Sequence, residues 1–128
     1  MTDIEKEKCG FIYPMLSSIG DARKMPHPRD WSIQQLRNGN YIDAMALIRK
    51  STWTCVGGYT DDAAFVGWED YDFWCKCAEN ALVGRLCSDA VAFYRTHPDS
   101  MLSTITDQPG YLEKAKQTMR ERHPWLLI

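Results

Sequence analysis

An α/β fold, with a small mixed sheet flanked by helices, is predicted by three features of the sequence. Short apolar runs stand at 11–13, 42–48 and 91–94, segments with helical spacing or caps lie between and after them, and Gly, Pro and Asn clusters separate the two. The chain has 128 residues, of which 45% are hydrophobic and 25% charged. That length holds one domain over 1–128 and is too short for two ordinary ones.

The elements follow in chain order. Residues 1–10 alternate charges and form a flexible, solvated start. Phe11-Ile12-Tyr13 is a short strand closed by Pro14, and 17–30 is turn-rich. Asp30 caps a helix through Arg37, stopped by Asn38-Gly39-Asn40. Residues 42–48, apolar except for Asp43, form a strand covered on both faces. Ser51 caps a helix ending at Gly57-Gly58, and 59–68 is a loop carrying Asp61-Asp62. Glu69 to Leu82 is the best-defined helix, ended by Asn80 or Gly84. Val91 to Tyr94 is a further strand. Asp99 or Ser100 caps a helix over 101–106, and the last helix runs from Tyr111 to Arg122, with Leu112, Ala115 and Met119 on one side.

Composition excludes several classes. No apolar run approaches the ~20 residues of a membrane helix. Net charge is −2, with 15 basic against 17 acidic residues, and no basic stripe points to nucleic acid. Five cysteines make an odd count without framework spacing, and the charged N-terminal stretch lacks a signal core. Both point to reduced thiols in a cytoplasmic protein.

The helix from Glu69 holds the chemistry. At about 100° per residue, Asp70 shares an arc with Tyr71, Trp74, Cys75, Cys77, Ala78, Ala81 and Leu82, while Glu69, Asp72, Lys76 and Glu79 fall opposite. An acid among aromatics is unfavourable without a partner or a task. In the first turn, free N–H groups favour its ionised form while burial opposes it, which suits a general base. A plain capping acid is the competing reading. The same wheel turns Asp70 and Asp72 of the D-x-D run about 200° apart, so they cannot grip one metal, and Cys75 and Cys77 fail in the same way. Adjacent Asp61 and Asp62 read as solvated loop acids.

Gly57-Gly58 fits either a helix C-cap or a backbone that must approach a ligand closely. Tyr94-Arg95-Thr96-His97 leaves a strand end, where ligands collect in open α/β sheets. Arg95 there suits phosphate oxygens and His97 a metal, although a single histidine is more often structural. His27 and His123 lie beside prolines and are assigned no role.

Taken in order, Asn40-Tyr-Ile, Ala46-Leu-Ile-Arg-Lys-Ser51, Val56-Gly-Gly-Tyr59, Gly67-Trp-Glu-Asp-Tyr-Asp-Phe-Trp74 and Tyr94-Arg-Thr-His97 resemble the C-terminal half of a family-2 glycosyltransferase of the GT-A fold. The resemblance covers roughly residues 38–102 and loosely 11–37. Each motif is weak alone; their order and spacing together make the match. It implies an inverting transfer of a sugar from a nucleotide-diphosphate donor to an acceptor hydroxyl. Asp70 would be the catalytic base and Glu69 its companion at the acceptor. Gly57, Gly58, Trp68 and Arg95 would line the donor and acceptor sites, and His97 would complete a Mn²⁺ or Mg²⁺ site. The family's nucleotide-binding half and its D-x-D motif have no counterpart before Asn40, so the resemblance implies a part inactive alone. The alternative is a non-catalytic binding module derived from such an enzyme. Either way, the strand at 42–48 would be left with an open edge, which predicts a homodimer or a partner chain supplying the missing half.

Overall fold

The computed structural model describes residues 2–20, 29–96, 99 and 108–128. Helix α1 (Asp3–Lys8) leads directly into strand β1 (Cys9–Gly20). Then come helix α2 (Ile33–Arg37), the two-residue strand β2 (Leu47–Ile48) and helix α3 (Lys50–Val56). A 3-10 turn (Ala63–Phe65) precedes helix α4 (Glu69–Glu79), strand β3 (Val83–Thr96) and helix α5 (Pro109–Arg122). The sheet order is β2-β1-β3, with β1 antiparallel to β2 and parallel to β3. The α/β class with a small mixed sheet and flanking helices is therefore the observed architecture.

Side chains of alternate residues explain how β1 meets the helices. Cys9, Phe11 and Tyr13 are buried on one face, as the period of two requires. The Phe11 ring stacks on Trp74 of α4 at 4.4 Å and meets Trp31 edge-on at 5.5 Å. Its cross-strand neighbour is Gly84, where a Cβ would lie 2.5 Å from the Phe11 ring. A glycine inside β3 is thus the condition for the aromatic stack.

Several boundaries differ from the sequence expectations. Residues 3–8 are helical, and Cys9 and Gly10 belong to β1. Pro14 does not close β1; it sits at a register shift opposite Cys87, where its missing N–H breaks no regular ladder. Ser32, not Asp30, caps α2, its hydroxyl accepting from the Gln35 N–H at 3.2 Å. Helix α3 starts one residue before Ser51, with Arg49 at its N-cap. Helix α4 ends at Glu79, with Asn80 as its cap.

The strand expected over 42–48 contracts to Leu47–Ile48. Burial of Tyr41 and Ile42 made that run apolar, but its backbone is claimed by side chains: Trp74 Nε1 donates to the Ile42 carbonyl at 3.1 Å, and Asp43 Oδ1 accepts from the Met45 N–H at 2.9 Å. Strand β3 begins eight residues before Val91. The helix expected over 101–106 lies outside the described residues. Among the described residues no helix is long and apolar enough to cross a membrane.

Candidate active site

Helix α4 begins at Glu69 with three acids in its first turn, and the chain around it decides what each does. Asp70 Oδ1 accepts from the Tyr71 N–H at 2.8 Å. Its other oxygen, Oδ2, accepts from Asn40 Nδ2 at 3.3 Å, and Asn40 Oδ1 in turn accepts from the Ile42 N–H at 3.1 Å. With its oxygen so engaged, the Asn40 amide presents nitrogen, not oxygen, to the carboxylate. The loop pinned by Trp74 thereby also carries Asp43 into electrostatic range of Asp70.

Burial pushes the Asp70 carboxyl up to about 7, against the lowering pull of the Tyr71 N–H. The neighbouring charges of Asp43 and Glu69 raise it further, and the Asn40 hydrogen bond offsets part of that. The sequence reading of Asp70 as a desolvated first-turn acid agrees with this geometry. Tyr59 adjoins the same three carboxylates; burial first, then Asp70, Glu69 and Asp43, pushes its phenol up to about 12. Among the described residues no lysine or arginine forms an ion pair with Asp43, Glu69 or Asp70.

Glu69 Oε2 is buried without a hydrogen-bond partner. Glu69 also lines a cavity of about 250 Å³ together with Tyr59, Thr60, Asp61, Asp62, Phe65 and Val66. Asp62 is not simply a solvated loop acid: it caps the 3-10 turn through the Ala64 N–H at 2.9 Å and pairs with Arg122 at 3.5 Å. Trp68 occupies the N-cap of α4, packed on Tyr71 at 5.9 Å between ring centres.

The two glycines have internal explanations. Gly57 is the left-handed C-cap of α3, with φ 80°. Gly58, φ 70°, lies under the Trp53 indole, where a Cβ would stand 2.7 Å from the ring. Trp53 in turn packs against Tyr59 at 5.0 Å and Phe73 at 5.4 Å, so the glycine pair seats the aromatic side of the site. Lys76 Nζ donates to the Gly58 carbonyl at 2.7 Å and ties this turn to α4.

Arg95 is exposed near the end of β3, in register with Ile19. Among the described residues no hydrogen bond or ion pair joins it to Asp70 or Glu69. His97 lies outside the described residues. Among those described, no group of three His, Cys, Asp or Glu side chains converges as a metal site.

The wheel misplaced Asp72. It is buried, not solvent-facing, because Arg122 and His123 at the end of α5 reach its Oδ1. His123, which the sequence left without a role, is buried with its Nε2 2.7 Å from Asp72 Oδ1 and its Nδ1 hydrogen-bonded to Glu79 Oε1. These partners lie 51 and 44 residues away in sequence, beyond any local pattern. Asp43 did leave a signal, as the lone acid of an apolar run. No family model matches the chain, and neither a curated protein nor a solved structure shows significant similarity to it.

Proposed function

We propose that this chain is the acceptor-side, base-bearing part of an inverting glycosyltransferase of the family-2 type, with Asp70 as the base. The observation that carries the reading is Asp70 itself: a carboxylate in a first helical turn, fixed on both oxygens, with a pKa near neutrality. A base poised near the working pH combines the right protonation state with the drive to take a proton. In the proposed step Asp70 accepts the proton of the acceptor hydroxyl, and the acceptor oxygen bonds to the anomeric carbon. The bond from that carbon to the diphosphate breaks, and the nucleoside diphosphate leaves with the electron pair.

Glu69 would stand beside the acceptor as a lining residue of the adjoining cavity. Gly57, Gly58 and Trp68 would shape the floor, and Arg95 and His97 would serve the donor diphosphate and its Mn²⁺ or Mg²⁺ with groups beyond those described. The proposed setting is cytoplasmic. A homodimer or a partner chain would complete the donor side; exposed Leu47, Val91 and Phe93, and an apolar groove of about 320 Å³ between β1 and β2, support such pairing. A monodisperse monomer by light scattering at micromolar concentration would overturn the homodimer.

The alternative is a non-catalytic binding module. It is favoured by the glycine pair, whose geometry is accounted for by the α3 cap and Trp53 without any ligand. Calorimetry with UDP and other nucleoside diphosphates, with and without Mn²⁺, on wild type and His97→Ala separates the two. Metal-dependent binding lost in His97→Ala is the result expected of a retained donor subsite, and transfer, abolished in Asp70→Asn, is expected only once the partner that completes the donor side is present. No binding at millimolar nucleotide would mean that the chain alone is not a transferase.

A further inference from the structure

Where the end of α5 meets α4, a charge cluster that the transferase reading does not use surrounds the buried Asp72 and His123. His123 presents Nε2 to Asp72 Oδ1 at 2.7 Å and Nδ1 to Glu79 Oε1. An ionised carboxylate only accepts hydrogen bonds, and a neutral imidazole has one donor and one acceptor nitrogen. Satisfying both contacts therefore takes N–H on both ring nitrogens.

The surrounding charges agree. From α4, Lys76 Nζ lies 3.2 Å from Asp72 Oδ2; from α5, Arg122 reaches Asp72 Oδ1 at 3.5 Å; and from the 3-10 turn, Asp62 pairs with Arg122 at 3.5 Å. The Cys75 thiol faces the same carboxylates and is held protonated, by burial first and then by Glu79 and Asp72. Counting Asp62, Asp72 and Glu79 against Lys76, Arg122 and His123, the cluster balances only with an imidazolium. Trp125 Nε1 donates to Glu79 Oε1 at 3.0 Å and closes the outer side.

The cluster reaches the candidate site through α5. The Arg122 guanidinium lies over the Phe65 ring at 4.1 Å, and the Tyr111 hydroxyl donates to the Val66 carbonyl. Phe65, Val66 and Asp62 form one wall of the cavity that Glu69 lines. We propose that His123 is a doubly protonated latch that holds α5 against α4 and the 3-10 turn, and that losing its proton at alkaline pH loosens this wall of the cavity. The inference stands apart from any sugar-transfer role.

Burial alone would lower the His123 pKa, but the hydrogen bonds the ring donates to Asp72 and Glu79 outweigh it and the net shift is upward. A raised histidine contributes stability that is complete below its unfolded value and lost as pH rises through its folded value. The test is ¹⁵N NMR of the His123 ring in the wild-type chain from neutral to alkaline pH, with backbone amides followed in parallel. We expect two protonated ring nitrogens at pH 7, a midpoint above the ordinary histidine value, and amide shifts in 62–66 and 109–122 that follow the same midpoint. In His123→Gln that alkaline transition disappears from the amides and from the thermal stability profile. A neutral ring tautomer at pH 7, with the proton on a carboxyl instead, overturns the proposal. So does a ring titration that leaves the 62–66 amides unmoved. The wild-type measurement decides the matter even if the variant does not fold.

Discussion

Asn40 Nδ2 donates to Asp70 Oδ2 across 3.3 Å, and through this bond the loop between α2 and β2 is tied to the first turn of α4. Thirty residues separate the two. The loop also carries Asp43, so one segment brings both a stabilising donor and a repelling charge to the same carboxylate.

Replacing Asp70 by Asn is expected to stabilise the protein at neutral and alkaline pH. The folded-state pKa of about 7 lies above the unfolded carboxylate value of about 3.9, so between them the folded state holds the extra proton. Stability then falls as pH rises through that window. Asn keeps the shape and removes the buried charge. The gain should grow from about pH 4 to pH 7 and reach on the order of 1–3 kcal/mol at pH 8, a modest figure because the residue keeps some solvent contact. Thermal melts at pH 5 and pH 8 check this; equal effects at both would speak against a raised pKa.

Gly57 and Gly58 separate by the same kind of measurement. Both have positive φ, so alanine strains either by about 1 kcal/mol. At Gly57 a Cβ meets nothing within 4 Å, whereas at Gly58 it runs into Trp53. Gly58→Ala should therefore lose about 2 kcal/mol more and raise Trp53 exposure, read by denaturant midpoints and indole fluorescence. Equal losses would show that Trp53 does not rest on Gly58.

Helix α4 was legible because its signals are local: acids in the first turn, an Asn at the end and aromatics at helical spacing. Asp70 stood out for the same reason. Asp72 was misread because the wheel assumes one buried face, and α4 is buried on two. What covers the second face is His123 at the far end of the chain, and its pairing leaves no trace in spacing. The run at 42–48 failed differently: apolar content reports burial, but whether the backbone joins a ladder depended on the Trp74 indole, 32 residues away. Pro14 was read as a stop, yet proline is tolerated at a register shift, a feature visible only once β3 is alongside.

The Trp74 anchor yields its own expectation. Phenylalanine there keeps most of the stacking on Phe11 but removes the donor to the Ile42 carbonyl. A buried carbonyl left unpaired, together with the smaller ring, should lower stability by about 2 kcal/mol. Hydrogen exchange at the Ile42 amide should accelerate more than exchange in β1. Unchanged protection at Ile42 would mean that the loop is held from elsewhere.

The most direct measurement is the titration of Asp70 itself, by ¹³C NMR of its side-chain carboxyl between about pH 3 and pH 9, assigned with Asp70→Asn. The account predicts a midpoint near 7, well separated from the exposed carboxylates. A midpoint near the ordinary aspartate value of about 3.9 would contradict it, because a fully hydrated acid has neither the environment nor the proton affinity of a general base.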